Sequence, residues 1–138
     1  MILYVNACAR PDSRTDRLAR ALLQKLGPYE ELRLYDEPLR PMDAHRIALR
    51  DALLSQKDYG AEMFRYARQF AAAEQIVLSA PLWDLSFPAQ LKIYLENIFV
   101  TGIVTRYSEA GLPVGLCRAK KLYYVSTSGG PYDPRFGF

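Results

Sequence analysis

Three short stretches of this chain carry side chains whose types permit ligand chemistry, and each follows an apolar run. The first, Asn6 to Thr15, holds Cys8, Arg10, Asp12, Ser13, Arg14 and Thr15 ahead of a segment with helical leucine spacing. Amides in the first turn of a helix lack internal acceptors and sit at its positive end, so with two hydroxyls and two guanidinium groups they suit an anion such as phosphate. The second, Pro81 to Phe87, brings together Leu82, Trp83, Asp84, Leu85 and Phe87, an apolar and aromatic surface fit to lie against a planar ring. The third, Ser126 to Gly130, ends in Gly129-Gly130, where missing side chains permit close backbone approach. Each also has a plainer reading: Asp12 or Ser13 caps a helix beside solvated arginines, Trp83 is core, and Gly-Gly is a turn.

Other chemistries fit less well. The single histidine, His45, follows no strand, so a Ser-His-Asp or Cys-His hydrolase lacks a placed base. Cys8 and Cys117 form no CxxC pair and no metal-spaced cluster, which fits a reducing cytoplasm and argues against a disulfide or zinc site. Five residues separate Cys8 from Arg14, the spacing of the anion-cradling signature of low-molecular-weight phosphatases, and Asp133-Pro134 stands near the end as in those enzymes. Against that alternative, Pro11 removes an amide donor and Asp12 puts a carboxylate where a phosphate would sit.

The elements that must position these stretches follow from periodicity. The 138 residues, half of them hydrophobic and 24% charged, are expected to form one domain, 1–138, with a normal core. A net charge of +3 with dispersed basic residues gives no nucleic-acid footprint, and no apolar run is long enough for a membrane span. Ile2 to Val5, Tyr29 to Leu34, Gln75 to Ala80 and Leu122 to Val125 read as strands, the second at an edge. Leu18, Leu22, Leu23 and Leu26 mark a helical face closed by Gly27-Pro28. Asp43 to Leu54 has mixed helical character, and Glu62 to Ala73 is a helix with Met63, Ala67, Phe70 and Ala71 on one face. Pro88 suits a first helical turn, followed by a buried stripe of Leu91, Leu95, Ile98 and Phe99. Thr105 to Leu116, around Gly111-Leu112-Pro113, reads as a hairpin. Strands alternating with helices imply a parallel α/β sheet covered on both faces, with ligands beyond the strands' carboxyl ends.

Together the three loops resemble the flavodoxin-like FMN-dependent NAD(P)H reductases, the azoreductase and quinone-reductase family. The likeness runs from Ile2 to about Tyr132. Ser13-Arg14-Thr15 resembles the family's Ser-x-Ser phosphate segment, with Cys8 where a hydroxyl is frequent. Pro81-Leu82-Trp83-Asp84-Leu85 resembles the Pro-Met-Tyr/Trp-Asn-Phe block along the isoalloxazine ring, with Asp84 in place of asparagine, and Pro88 to Lys92 resembles the Pro-x-x-Leu-Lys that follows. Gly102 to Tyr107 is similar to a Gly-x-Thr-Phe-x-Tyr stretch, with Thr105 in place of phenylalanine. Thr127-Ser128-Gly129-Gly130 is similar to the Ser/Thr-x-Gly-Gly loop at the flavin's polar edge.

The resemblance implies a flavodoxin-like three-layer sandwich with strand order 2-1-3-4. The family's usual fifth strand is expected to be absent, since members continue beyond the Gly-Gly loop. It implies an FMN cofactor, NADH or NADPH as donor, a quinone or azo compound as acceptor, a ping-pong order and a cytoplasmic homodimer. No residue stands out as a proton donor, which leaves solvent or Tyr132. Two further alternatives are a flavodoxin-type electron carrier, against which the positive net charge argues, and a non-catalytic flavodoxin-like interaction module.

Overall fold

The computed structural model describes residues 1–130 and Arg135. The first strand, β1 (Ile2–Asn6), is buried at every position, because it lies in the interior of a parallel sheet with layers on both faces. Its neighbours are β2 (Tyr29–Arg33) and β3 (Gln75–Ser79), with Val5 in register with Leu32 on one side and Leu78 on the other. Two short strands, β4 (Thr105–Tyr107) and β5 (Pro113–Gly115), form a separate antiparallel hairpin. The last strand, β6 (Lys121–Val125), pairs parallel with β3, giving the order β2-β1-β3-β6. Counting only strands of the main sheet, this is the expected 2-1-3-4.

Alternation along the strands divides the core in two. Leu3, Val5, Ile76 and Leu78 face Tyr66, Leu91, Tyr94 and Ile98. The last four belong to α3 (Arg65–Ala72) and α4 (Ala89–Ile98). Ile2, Tyr4 and Val77 face Ala19 and Leu23 of α1 (Arg14–Leu26). Burying each such large apolar side chain contributes about 1.5–3 kcal/mol before entropy is counted. The remaining helix, α2 (Ala44–Ser55), buries none of its residues, and Ile47 and Leu49 stay exposed. Asp43 caps α2 by accepting the Arg46 N–H at 2.9 Å, and that bond holds the Asp43 carboxyl below its usual range, with Arg40 nearby adding to the effect.

Several expectations shift in detail. The helix expected over Glu62 to Ala73 opens as a 3-10 turn, Glu62–Phe64, before α3. Pro88 is the cap residue of α4, with extended ψ of 149°, rather than its first helical residue. Phe99 lies just past the end of α4 and is exposed, and Leu18 is exposed on α1, whose buried face is Thr15, Ala19 and Leu23. Small residues at 15 and 19 let α1 lie close to the sheet, which leaves the longer Leu18 on its flank. Among the described residues no helix is long and apolar enough to cross a membrane.

Candidate functional site

The carboxyl ends of β1, β3 and β6 lie side by side, so the three loops singled out above meet at one edge of the sheet. The pairing continues beyond the strands. Ala7 N donates to Ser79 O at 2.9 Å, Ala80 N to Val125 O at 3.0 Å and Leu82 N to Thr127 O at 2.9 Å. The backbone thereby fixes the second loop against the third.

A buried polar network sets the first loop. Tyr4 Oη donates to Asp16 Oδ1 at 2.6 Å and lies 2.7 Å from Ser79 Oγ. A phenol has one proton, so with that proton on Asp16 it is Ser79 that donates to Tyr4. Burial raises the Tyr4 phenol well above its ordinary range, and the bond to Asp16 raises it further. Asp16 also accepts from Arg20 Nε at 3.0 Å, and Arg20 reaches Glu31 of β2 at 2.6 Å. The start of α1 is thus tied to β1, β2 and β3 through charged hydrogen bonds.

At the α1 terminus, Ser13 Oγ accepts from Asp16 N at 3.1 Å. This is the capping role that the sequence left open, and it still leaves the serine proton available to donate. The N–H groups of Arg14 and Thr15, ahead of Asp16 in the first turn, have no intrahelical acceptor. Thr15 is buried, and its hydroxyl oxygen lies 2.6 Å from that of Thr127.

The second loop closes on itself as a tight hairpin. Trp83 N donates to Ser86 O at 2.9 Å, and Ser86 N donates back to Trp83 O at 2.8 Å. The two residues between them, Asp84 and Leu85, both have positive φ, 53° and 63°. That is the type I′ pattern, which aspartate tolerates and leucine resists. Leu82, Trp83 and Leu85 remain exposed, an apolar surface presented outward.

The three loops enclose a cavity of about 440 Å³, within the usual range of small-molecule sites. Ala9, Arg10, Asp12, Ser13, Arg14, Thr15 and Arg17 line it from the first loop and α1, Pro81, Leu82 and Trp83 from the second, and Thr127, Ser128 and Gly129 from the third. One end therefore holds three guanidinium groups against the single carboxylate of Asp12, beside the free amides of a helix start. The other end has an aliphatic and aromatic wall and a hydroxyl-bearing rim. An elongated molecule with an anionic tail and a flat head matches this division of charge and shape.

The structure brings together Ser13, Arg14, Thr15, Pro81, Leu82, Trp83, Thr127, Ser128 and Gly129 from the residues marked in the sequence. It leaves four outside the lining. Asp84 and Leu85 form the hairpin tip, and Gly130 follows the rim. Cys8 is fully buried, with Sγ 3.4 Å from Ser79 Oγ and its backbone N–H on Asn6 Oδ1 at 2.9 Å. A thiol turned into the core meets no substrate, so the phosphatase alternative loses its nucleophile. Tyr132 and Asp133-Pro134 lie outside the described residues. Arg17 was not marked in the sequence, although its place one turn beyond Arg14 on α1 puts it on the same helix face.

Comparison with known proteins agrees with this geometry. Residues 1–138 match a family model described as the flavodoxin-like fold. An FMN-dependent NADH:quinone oxidoreductase 2 of Clostridium acetobutylicum is 38% identical over 141 residues, covering 96% of this chain and 69% of that protein. An FMN-dependent NADH:quinone oxidoreductase of Coprothermobacter proteolyticus is 35% identical over 144 residues, covering 95% and 69%. Among solved structures, an azoreductase from Bacillus anthracis strain Sterne superposes with a TM-score of 0.81 at 28% identity, over 95% of this chain and 70% of that one.

Proposed function

The chain belongs to the flavodoxin-like family, and from that premise we propose that it is an FMN-dependent oxidoreductase carrying electrons from NADH to quinones or azo compounds. The observation that carries this reading is the single cavity shared by three loops, cationic at one end and apolar at the other. The residues fit the cofactor. The N–H groups of Arg14 and Thr15, the Ser13 hydroxyl and the side chains of Arg10, Arg14 and Arg17 would hold the phosphate. Leu82 and Trp83 would form the ring wall, and Thr127 to Gly129 the polar edge.

When bound, FMN supplies hydride and electron chemistry that no side chain of this chain offers. The chain's own contribution is binding, orientation and exclusion of water. The Thr15–Thr127 contact fixes the distance between the phosphate end and the polar edge, and the 83–86 hairpin fixes the wall. Donor and acceptor are taken to occupy the same open side of the cavity in turn, a ping-pong order. Exposed Trp83 and Leu85 beside that opening support a homodimer in which a second copy covers them. The cytoplasm is the proposed location.

Titrating the purified chain with FMN, followed by flavin fluorescence, tests the reading directly. Saturable micromolar or tighter binding is expected, with parallel double-reciprocal plots when NADH and a quinone are varied. A folded chain that leaves FMN fluorescence unchanged overturns it.

A further inference from the structure

Three charged side chains stand behind the cavity without lining it: Asp16 and Arg20 on α1, and Glu31 on β2. Asp16 follows Thr15 directly, in the first turn of α1, and its own N–H is taken by the Ser13 hydroxyl. Its carboxylate is only 15% exposed and meets three donors: Tyr4 Oη at 2.6 Å, Arg20 Nε at 3.0 Å and Asn6 Nδ2 at 3.4 Å. Of these donors only Arg20 carries a charge.

Arg20 serves both carboxylates. Its Nε donates to Asp16, its Nη2 to Glu31 Oε1 at 2.6 Å and its Nη1 to Tyr29 Oη at 3.0 Å. Asn6 Nδ2 lies 3.5 Å from Glu31 Oε2 as well as 3.4 Å from Asp16 Oδ1, so the two carboxylates flank a single amide. Two carboxylates and one guanidinium leave this cluster with one negative charge. It sits beside the first-turn amides of α1, where a carboxylate competes with a bound anion for the positive end of the helix. Without Arg20 the cluster's negative charge doubles.

We propose that Arg20, which lines no part of the cavity, is a positioning residue that sets the preference for FMN over riboflavin, an assignment that rests on the flavin reading above. It acts through Asp16. By cancelling a carboxylate charge next to the amides of Arg14 and Thr15, it keeps the start of α1 favourable to a phosphate dianion. The flavin ring, held at the other end of the cavity, is indifferent to this charge, so the effect falls on the phosphate alone.

The test is a charge ladder read by flavin fluorescence, with FMN and with riboflavin, on the full chain and its variants. Arg20→Ala leaves the cluster two negative charges, Asp16→Asn leaves it neutral, and the double variant restores the single negative charge of the parent. FMN affinity is expected to fall about two- to fivefold in Arg20→Ala, to rise by a similar factor in Asp16→Asn, and to return to the parent value in the double variant. Riboflavin affinity stays level throughout, and the FMN differences shrink at about 1 M salt. If Arg20 were only a tie between α1 and β2, both flavins would weaken together in Arg20→Ala, and adding Asp16→Asn would not restore FMN. That pattern overturns the proposal, as does one FMN affinity shared by all four proteins. Where Arg20→Ala does not fold, Asp16→Asn and Arg20→Lys decide: tighter FMN binding in the first with parent affinity in the second supports the assignment, and any other result overturns it. A folded parent chain that leaves FMN fluorescence unchanged overturns the flavin reading itself, and this assignment with it.

Discussion

The hydroxyl oxygens of Thr15 and Thr127 lie 2.6 Å apart although 112 positions separate them in the chain. This one bond joins the start of α1 to the loop after β6. Because Leu82 N also donates to Thr127 O, all three loops of the cavity meet at Thr127. Replacing either threonine by valine keeps the shape and removes the bond. A double-mutant cycle on thermal or urea unfolding is expected to return a coupling of about 0.5–1.5 kcal/mol. FMN affinity should fall in each single variant, and additive stability effects with unchanged affinity would show that the bond does not organise the cavity.

The arginines supply a second expectation. If they receive a phosphate, Arg14→Ala and Arg17→Ala each weaken FMN binding, by roughly tenfold for the loss of one charge-assisted hydrogen bond of about 1.5 kcal/mol. Riboflavin, which lacks the phosphate, should bind both variants as it binds the parent chain. Fluorescence titrations with the two flavins distinguish this from a general loss of structure, which would weaken both alike.

Leu85 carries backbone strain. A leucine at φ 63° is disfavoured by about 1–2 kcal/mol relative to glycine at the same angle, while its side chain is 65% exposed and loses little packing on removal. Leu85→Gly creates the Asp-Gly pair preferred in type I′ turns and is expected to raise stability by about 0.5–1 kcal/mol. Urea unfolding checks the gain. If the strained leucine serves acceptor binding, the same variant shows a higher KM for quinone at unchanged FMN affinity.

Cys8 is predicted to be silent. With its sulfur enclosed beside Ser79, it should resist thiol reagents in the folded chain and react fully in denaturant. Cys117 is half-buried, and its burial pushes the thiol up, so it reacts slowly at neutral pH. Cys8→Ala should keep FMN affinity; a variant that abolished binding would return Cys8 to the site.

Much of this arrangement was legible in the sequence because it rests on local signals. Apolar runs at Ile2 to Val5 and Gln75 to Ala80 could only be buried strands, and the loops after them had the composition of a ligand site. Side-chain direction was less legible. Leucine spacing placed Leu18 on the buried face of α1, yet Thr15, Ala19 and Leu23 face the sheet, because small residues set how closely the helix approaches. Cys8 looked available because it precedes a helix, but the backbone bond from Ala7 to Ser79 extends the strand pairing and the Cys8 thiol points inward. Asp84 and Leu85 belonged to an expected ring wall, whereas the reversal of the hairpin within two residues carries them to its tip. Thr15 read as a ligand contact and does line the cavity, but its hydroxyl also meets that of Thr127 far away in the chain, a pairing that no local pattern encodes.

The position of β6 at the margin of the sheet also governs how the molecule behaves in bulk. Beyond β3 it has no neighbouring strand among the described residues, and Leu122 and Tyr124 are each 53% exposed on it. Such a margin offers a row of amides and carbonyls, flanked by large apolar groups, to any extended polypeptide that arrives alongside. If this chain self-associates as its concentration rises, that border is where the contact is expected to begin.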